Sequence, residues 1–196
     1  MSATTNAGQI LEQQLLEAQI LHRVNAATSD DPRRVLEIIC TEIAKTLNAD
    51  SVAFGRLSDA GDSLEIIAEY CQNQNAALST FLPLTEGQIT FHTLRERRAV
   101  VMDAQNNPDF AVHRKTLEKL GIKNMMIVPI VEHQAIFGAL SVDSFIAKNF
   151  SIADQQFAMN AVQAAMPALK QMQIIEALRQ SQNRFIHLVN KLECIV

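Results

Sequence analysis

Two pairs of strand-like segments, each closed by a short turn, constrain the fold of this 196-residue chain more than any other feature. The first pair is Ser51–Leu57 and Leu64–Tyr70, and the turn Ser-Asp-Ala-Gly-Asp joins its two members. Apolar residues in the second member alternate with glutamates, which is the two-residue period of a half-buried strand. The second pair is Lys123–Val131 and Ala135–Val142. Such hairpins are antiparallel, so the sequence predicts an antiparallel sheet.

Segments with helical periodicity surround and separate these hairpins. Their apolar residues recur at every third or fourth position, which predicts helices. These segments are Gln9–Ala27, Pro32–Leu47, Gln88–Arg97, Ala111–Leu120 and a long run that starts at Ser151. A short strand is predicted at Ala99–Asp103. Hairpins that alternate with helices in this way predict an α+β domain with helices packed on the sheet.

Two prolines and one capping pattern refine this prediction. Pro129 lacks an N–H, so it should lie at a sheet edge, a strand end or a bulge. Pro167 should bend the last helix or divide it into two pieces. Ser151 and Asp154 have the spacing of a capping box, which predicts that the last helix starts there.

Composition narrows the class of protein. The formal net charge is −4 and the basic residues are scattered, so no nucleic-acid partner is expected. Cys40, Cys71 and Cys194 are far apart, which favours a reducing compartment over a disulfide scaffold. The sequence shows no signal-peptide pattern and no apolar run of about 18 residues. We therefore expect a soluble, cytoplasmic protein with no membrane contact in this segment.

Four segments, in order, resemble the GAF domain family over about Pro32–Leu169. They are VLEIICTEIAKTLNADSVAFGRLS, LPLTEGQITFHTLRERRAVVMDA, LGIKNMMIVPIVEHQAIFGALSVDS and FSIADQQFAMNAVQAAMPAL. The resemblance implies a GAF/PAS-like antiparallel sheet with helices packed on it and long helices at both ends. The last residues, LRQSQNRFIHLVNKLECIV, resemble the opening of a PAS domain. Together the two resemblances imply a piece of a multidomain signalling protein, such as a sensor histidine kinase or a cyclic-dinucleotide enzyme.

The same resemblance divides the chain into three parts. Residues 1–30 are interpreted as an N-terminal signalling and dimerisation helix. Residues 31–170 are interpreted as the GAF domain. Residues 171–196 are interpreted as a C-terminal signalling helix that runs into the start of a PAS domain.

GAF domains commonly hold a small molecule between the sheet and the helices over one of its faces. On that basis the candidate pocket residues are Phe54, Tyr70, Phe91, His113, Leu117, Met126 and Leu140. The alternative interpretation is that these side chains only fill the core. The cyclic-nucleotide motif of the family is missing, so a cyclic nucleotide is not the expected ligand, and the identity of any ligand stays open.

A tetrapyrrole is an alternative ligand. His113 matches the histidine of phytochrome-like GAF domains, whereas Val112 occupies the position of their bilin-linking cysteine. A covalent bilin is therefore not expected, and a non-covalent bilin or haem remains as the alternative hypothesis.

No catalytic residue and no metal site are predicted. GAF-fold proteins that reduce free methionine sulfoxide use clustered cysteines in the region that corresponds to residues 80–125, and this chain has none there. A redox enzyme that depends on Cys71 is the alternative. Apart from the adjacent Glu132 and His133 in a hairpin turn, the five histidines do not pair with other ligands at metal-binding spacing. We therefore expect a module that is not an enzyme.

Apolar stripes at both ends of the chain predict a dimer. The candidate interface residues are Leu11, Leu15, Ala18, Leu169, Met172, Ile175 and Leu178. A helix that leaves its domain while still apolar needs a partner, and a second copy of the chain is the simplest one. The predicted parallel bundle would carry a signal through small helix shifts. The alternatives are helices that fold back on their own sheet and a scaffold that binds no ligand.

Overall fold

The computed structural model describes residues 31–72, 81–84, 89–103, 117–118, 121–132 and 134–193. The helices with bounds in these ranges are α1 (Pro32–Leu47), α2 (Ile89–Glu96) and α3 (Ile152–Glu193). The strands are β1 (Ser51–Leu57), β2 (Ser63–Cys71), β3 (Phe81–Pro83), β4 (Val100–Asp103), β5 (Asn124–Glu132) and β6 (Ala135–Ser144). The predicted helix Gln9–Ala27 lies outside the described residues, as does most of the predicted helix Ala111–Leu120.

The strands form one antiparallel sheet in the order β3-β2-β1-β6-β5-β4. Both predicted hairpins are confirmed, since β1 pairs with β2 and β5 pairs with β6. The hairpins join at the centre of the sheet, where Phe54 of β1 lies opposite Leu140 of β6. The sequence does not predict β3, because three residues are too few to show a two-residue period. The predicted α+β class is confirmed.

Helices α1 and α3 cover one face of the sheet, which we call the helix face. Helix α1 begins where the Asp31 carboxylate accepts a hydrogen bond of 2.9 Å from the backbone N–H of Arg33. Its buried side joins α3 and the sheet in one apolar core. Cys40 is fully buried in this core, and burial raises the pKa of its thiol. The thiol therefore behaves as a small apolar side chain.

The structure confirms the predicted position of Pro129. Strand β4 pairs with β5 only as far as Ile127, so Pro129 lies on a stretch of β5 that β4 does not cover. A register irregularity follows directly, between Ile130 and Val131. The missing N–H of proline therefore interrupts no pairing with β4.

Helix α3 starts as predicted but does not divide at its proline. The Ser151 hydroxyl accepts from the Asp154 N–H at 3.1 Å, and the Asp154 carboxylate accepts from the Ser151 N–H at 2.7 Å. The helix then continues through Pro167, so of the two predicted outcomes, a bend or a division into two pieces, the division does not occur. Proline removes the hydrogen bond to the Gln163 carbonyl. Gln163 and Pro167 are both exposed, so water can reach the group that loses its donor.

Gly138 gives the sharpest test of the central pairing of β1 with β6. Its φ is +155°, and a Cβ at this position would lie 1.9 Å from the Gly55 carbonyl oxygen on β1. We predict that Gly138→Ala lowers the free energy of unfolding by about 3 kcal/mol or more, because the methyl group would push the central strands apart. Urea denaturation of the purified chain measures this loss.

Gly61→Ala is the matched control for Gly138→Ala. Gly61 also has a positive φ, +73°, but a Cβ added there would meet no atom of the described residues within 4 Å. Its substitution should cost only about 1 kcal/mol of backbone strain. Equal losses for the two variants would contradict the close approach of β1 and β6.

Candidate functional site

The second face of the sheet carries a separate set of packed side chains. Helix α2 lies over β5 and β6 on this side. The buried members of this cluster are Leu64, Leu94, Met102, Leu117, Ile122, Ile127 and Ala139. Because the cluster shares no residue with the core under α1 and α3, the sheet separates two apolar layers.

A row of side chains crosses this second face from strand to strand. In the strand register Cys71 is opposite Ser51, Ser51 is opposite Asp143, Asp143 is opposite Met125, and Met125 is opposite Met102. Directly opposed residues point to the same face of a sheet. Met102 and Met125 belong to the second cluster, so the whole row lies on the second face.

Asp143 is the unusual member of this row. Its side chain is fully buried, and the Ser141 hydroxyl donates to its Oδ1 at 2.7 Å. Among the residues that the structure describes, the buried side-chain oxygens without a hydrogen-bond partner are Ser51 Oγ, Thr93 Oγ1 and Asp143 Oδ2. A buried acceptor without a donor costs about 1–3 kcal/mol, and more when it is charged. Two such acceptors, on Ser51 and Asp143, are cross-strand neighbours.

The surroundings of Asp143 act on its ionisation. Burial raises the pKa of the carboxyl to about 7, the Ser141 hydroxyl opposes the rise, and the charge of Glu69 adds to it. Glu69 lies opposite Ala53, one register step away on the same face. Burial and the neighbouring charge of Glu69 therefore both disfavour the ionised form of the Asp143 carboxyl.

A groove of about 270 Å³ lies on the helix face, where α3 passes the start of α1 and the β1–β2 hairpin. Its lining residues are Asp31, Pro32, Arg33, Arg56, Glu65, Ile67, Met172, Ile175 and Glu176. Arg56 forms an ion pair with Glu65, and Arg179 hydrogen-bonds Glu176 and lowers the pKa of that carboxyl. Since these charges are paired with one another, we interpret the groove as the junction where α3 leaves the domain.

Beyond this junction α3 exposes a row of large apolar side chains. Ile174, Leu178 and Phe185 are 68%, 59% and 68% exposed, and Ile175 and Ile186 accompany them. At about 100° per residue, Ile174, Leu178 and Phe185 lie on the side of the helix opposite the positions that contact the domain core, and Ile175 and Ile186 lie at the border between the two sides. The exposed apolar side therefore faces away from the chain's own sheet.

The sheet divides the candidate pocket residues between its two faces. Phe54, Met126 and Leu140 are fully buried under α1 and α3, and Tyr70 packs against the same core. Leu117 belongs to the opposite cluster. Phe91, on α2, contacts His92 edge to face at 5.9 Å between ring centroids. His113 and Val112 lie outside the described residues. The structure therefore does not bring this set to one cavity, and the four residues on the helix face act as core.

The candidate interface residues also differ in their surroundings. Leu11, Leu15 and Ala18 lie outside the described residues. Leu169 is only 5% exposed and packs in the domain core, so it is not available to a second chain. Met172 packs partly against that core, while Ile175 and Leu178 are exposed. The available apolar surface thus begins after Met172, one helical turn later than the sequence stripe predicts.

Sequence reasoning missed Ser51, Ser141 and Asp143. The signal was available in β6, where Leu140 and Val142 alternate with Ser141 and Asp143. Ending the predicted strand at Val142 hid this alternation, since it placed Asp143 in a loop. The register with Ser51 could not be deduced, because β1 and β6 are far apart in the sequence.

Two further observations concern the described part of the chain. None of its helices has both the length and the apolar character that a bilayer crossing requires. Within the same ranges, His, Cys, Asp and Glu side chains form no group of three or more that could hold a metal ion.

Structural comparison places this fold among known proteins. The GAF domain of an Acinetobacter phosphoenolpyruvate-protein phosphotransferase aligns with a TM-score of 0.70 and 16% identity, over 85% of this chain and 98% of that one. A phycoerythrobilin-bound GAF domain from a cyanobacterial phytochrome aligns with a TM-score of 0.66 and 16% identity, over 84% and 97%. Free methionine-R-sulfoxide reductase from Neisseria meningitidis, in complex with its substrate, aligns with a TM-score of 0.65 and 17% identity, over 83% of this chain and 91% of that one. At these identities the likeness concerns the fold alone.

Sequence comparison gives the family. No curated protein matches the chain at a significant level. The sequence model of the GAF domain matches residues 31–169, which run from the cap of α1 to the last core residues of α3. Since this match spans well over half of the 196 residues and the fold agrees with it, the chain belongs to the GAF domain family.

Proposed function

We propose that this chain is a non-catalytic sensory and dimerisation module of a multidomain signal-transduction protein in the cytoplasm. A small molecule would bind over the second face of the sheet, and the terminal helices would relay its presence to the next domain. The chain belongs to a family of sensory and signalling modules. The observation that carries the proposal is the apolar side of α3, which continues beyond the domain and faces away from it.

A second copy of the same chain fits this apolar side. The residues of the exposed face of α3 are Gln171, Ile174, Ile175, Leu178, Ser181, Gln182, Phe185 and Ile186. None of them is charged, so two copies related by a two-fold axis would bring no like charges together. From Met172 to Glu193 the helix rises about 32 Å, long enough for several layers of contact in a bundle.

The charged neighbours of this face are suited to the rim of a dimer. Glu176 accepts hydrogen bonds from Arg179 Nε at 3.2 Å and from Gln180 Nε2 at 3.2 Å. These polar side chains therefore hydrogen-bond one another on the side of α3 that carries Glu176. The proposed dimer would therefore bury apolar side chains at its centre and leave the paired charges in water.

The relay would begin at the junction groove. Arg56, on β1, forms an ion pair with Glu65 of β2, and its charge also acts on Glu176 of α3. A shift of the central strands would thus change the electrostatic contact with the helix that leaves the domain. Small shifts between packed helices are an established way to transmit such a change. The C-terminal residues that resemble the start of a PAS domain would receive it.

Analytical ultracentrifugation of the purified chain tests the dimer. We predict a dimer at about tens of micromolar and at least tenfold weaker association for Leu178→Glu, which is about 1.4 kcal/mol. The reason is that a glutamate in the apolar face would be buried without a partner charge. A wild-type chain that sediments as a monomer at these concentrations would show the proposal to be wrong.

Gln173→Glu is the matched control for Leu178→Glu. Gln173 is exposed and lies on the opposite side of α3, so the same new charge should leave association unchanged. Equal weakening by both variants would mean that net charge, and not the apolar face, controls association.

A further inference from the structure

The row on the second face leaves two acceptors without donors. Asp143 Oδ2 and Ser51 Oγ are buried, have no hydrogen-bond partner within the described ranges and belong to directly opposed residues of β6 and β1. Directly opposed side chains on one face have Cβ atoms about 5 Å apart. A single donor group between them can therefore reach both oxygens.

The charge on this face favours a cation. None of the ion pairs formed by the described residues includes Asp143. Glu69, one register step away, adds negative charge to the same face. A positively charged donor would satisfy the carboxylate by hydrogen bonding and by charge at once.

We propose that the second face binds a small ligand through a protonated amino group, which donates to Asp143 Oδ2 and Ser51 Oγ. An ammonium group has three donors and no acceptor, so it matches two neighbouring acceptors and leaves one donor for another group. Ser141 is a positioning residue, because its hydroxyl holds Oδ1 and thereby orients the carboxylate. This inference deepens the proposed function, since it names the ligand class of the sensory face.

The position of the row indicates the end of the sheet from which a ligand would approach it. It joins residues at or next to the ends of β2, β4 and β6 with residues at or next to the starts of β1 and β5. The row therefore lies at one end of the sheet. The apolar residues of the second cluster border it, with Met102 and Met125 in the row itself. This combination suits a ligand with an amino head and a short apolar body.

An NMR titration of the ¹⁵N-labelled full chain with ethylamine tests the amine site. A probe with three heavy atoms binds no tighter than about millimolar, so the titration extends to about 50 mM, with ionic strength matched by potassium chloride. We expect saturable shifts of the Ser51 and Asp143 amide signals, with no saturable shift for ethanol or acetate. We also expect at least tenfold weaker binding by Asp143→Asn. The absence of saturation in the wild-type chain would overturn the amine site.

Asp59→Asn is the matched control for the titration. Asp59 is an exposed aspartate in the β1–β2 turn, so this variant removes a carboxylate far from the row. It should bind ethylamine as the wild type does. Equal binding by Asp143→Asn and Asp59→Asn would overturn the assignment to Asp143. Ultracentrifugation measures the dimer separately. A chain that forms a dimer but does not bind ethylamine contradicts only the amine site. A chain that binds ethylamine but stays monomeric contradicts only the proposed dimer and its relay.

Stability without ligand gives a second measurement. The carboxyl of Asp143 has a folded-state pKa of about 7 against an ordinary value of 3.8, and the titratable neighbours on its face in the described ranges are Glu69 and Cys71. Because the pKa is higher in the folded state, folding favours the protonated carboxyl. Its contribution to stability is fully present below pH 3.8 and is lost as the pH rises through about 7. We expect Asp143→Asn to raise the unfolding temperature by at least about 4 °C at pH 8. A lower unfolding temperature at pH 8 would show that Oδ2 has a donor in the free chain, which would overturn the proposal.

Discussion

The pairing of β1 with β6 at the centre of the sheet holds the rest of the molecule in place. It joins the two hairpins through residues that are far apart in the chain and sets Phe54 against Leu140, 86 positions later, on the helix face. The same register sets Ser51 against Asp143 on the second face. At Gly138 the two strands approach so closely that a methyl group would overlap the β1 backbone. A shift of one residue in this register would exchange the two faces and disrupt both layers.

The two faces of the sheet differ in the kinds of side chain that they bury. Under α1 and α3 the core is apolar, and even its thiol, Cys40, is held neutral by burial. On the second face a buried carboxyl and a buried hydroxyl lack hydrogen-bond partners among the residues that the structure describes, which costs stability. Most buried polar groups in native proteins have a hydrogen-bond partner, so each exception calls for an explanation such as a bound ligand, an ion or an ordered water. The contrast supports a division in which one face provides stability and the other binds a ligand.

Helix α3 connects these faces to the surface of the molecule. Its first half covers the core, and its second half carries an apolar side turned away from that core. The helix is continuous between the two halves, so in the proposed relay a displacement of the sheet beneath it would be transmitted along its length. The charges of Arg56, Glu65 and Glu176 meet where the two halves join. Ligand binding and dimerisation, as proposed, are therefore coupled through one rigid element.

The sequence by itself determined the elements: α1 and β1 match their predicted bounds, both hairpins form, and the capping box of Ser151 and Asp154 starts α3. These features depend on neighbours within a few residues, so local pattern is sufficient to predict them. Tertiary structure alone decided that Phe54 and Leu117 lie on opposite faces, that Leu169 is core, and that Ser51 meets Asp143. It also decided that Pro167 does not divide α3, since buried packing on both sides of the proline holds the helix together. The physical reason is that burial and cross-strand register depend on contacts between distant parts of the chain, which local periodicity does not contain.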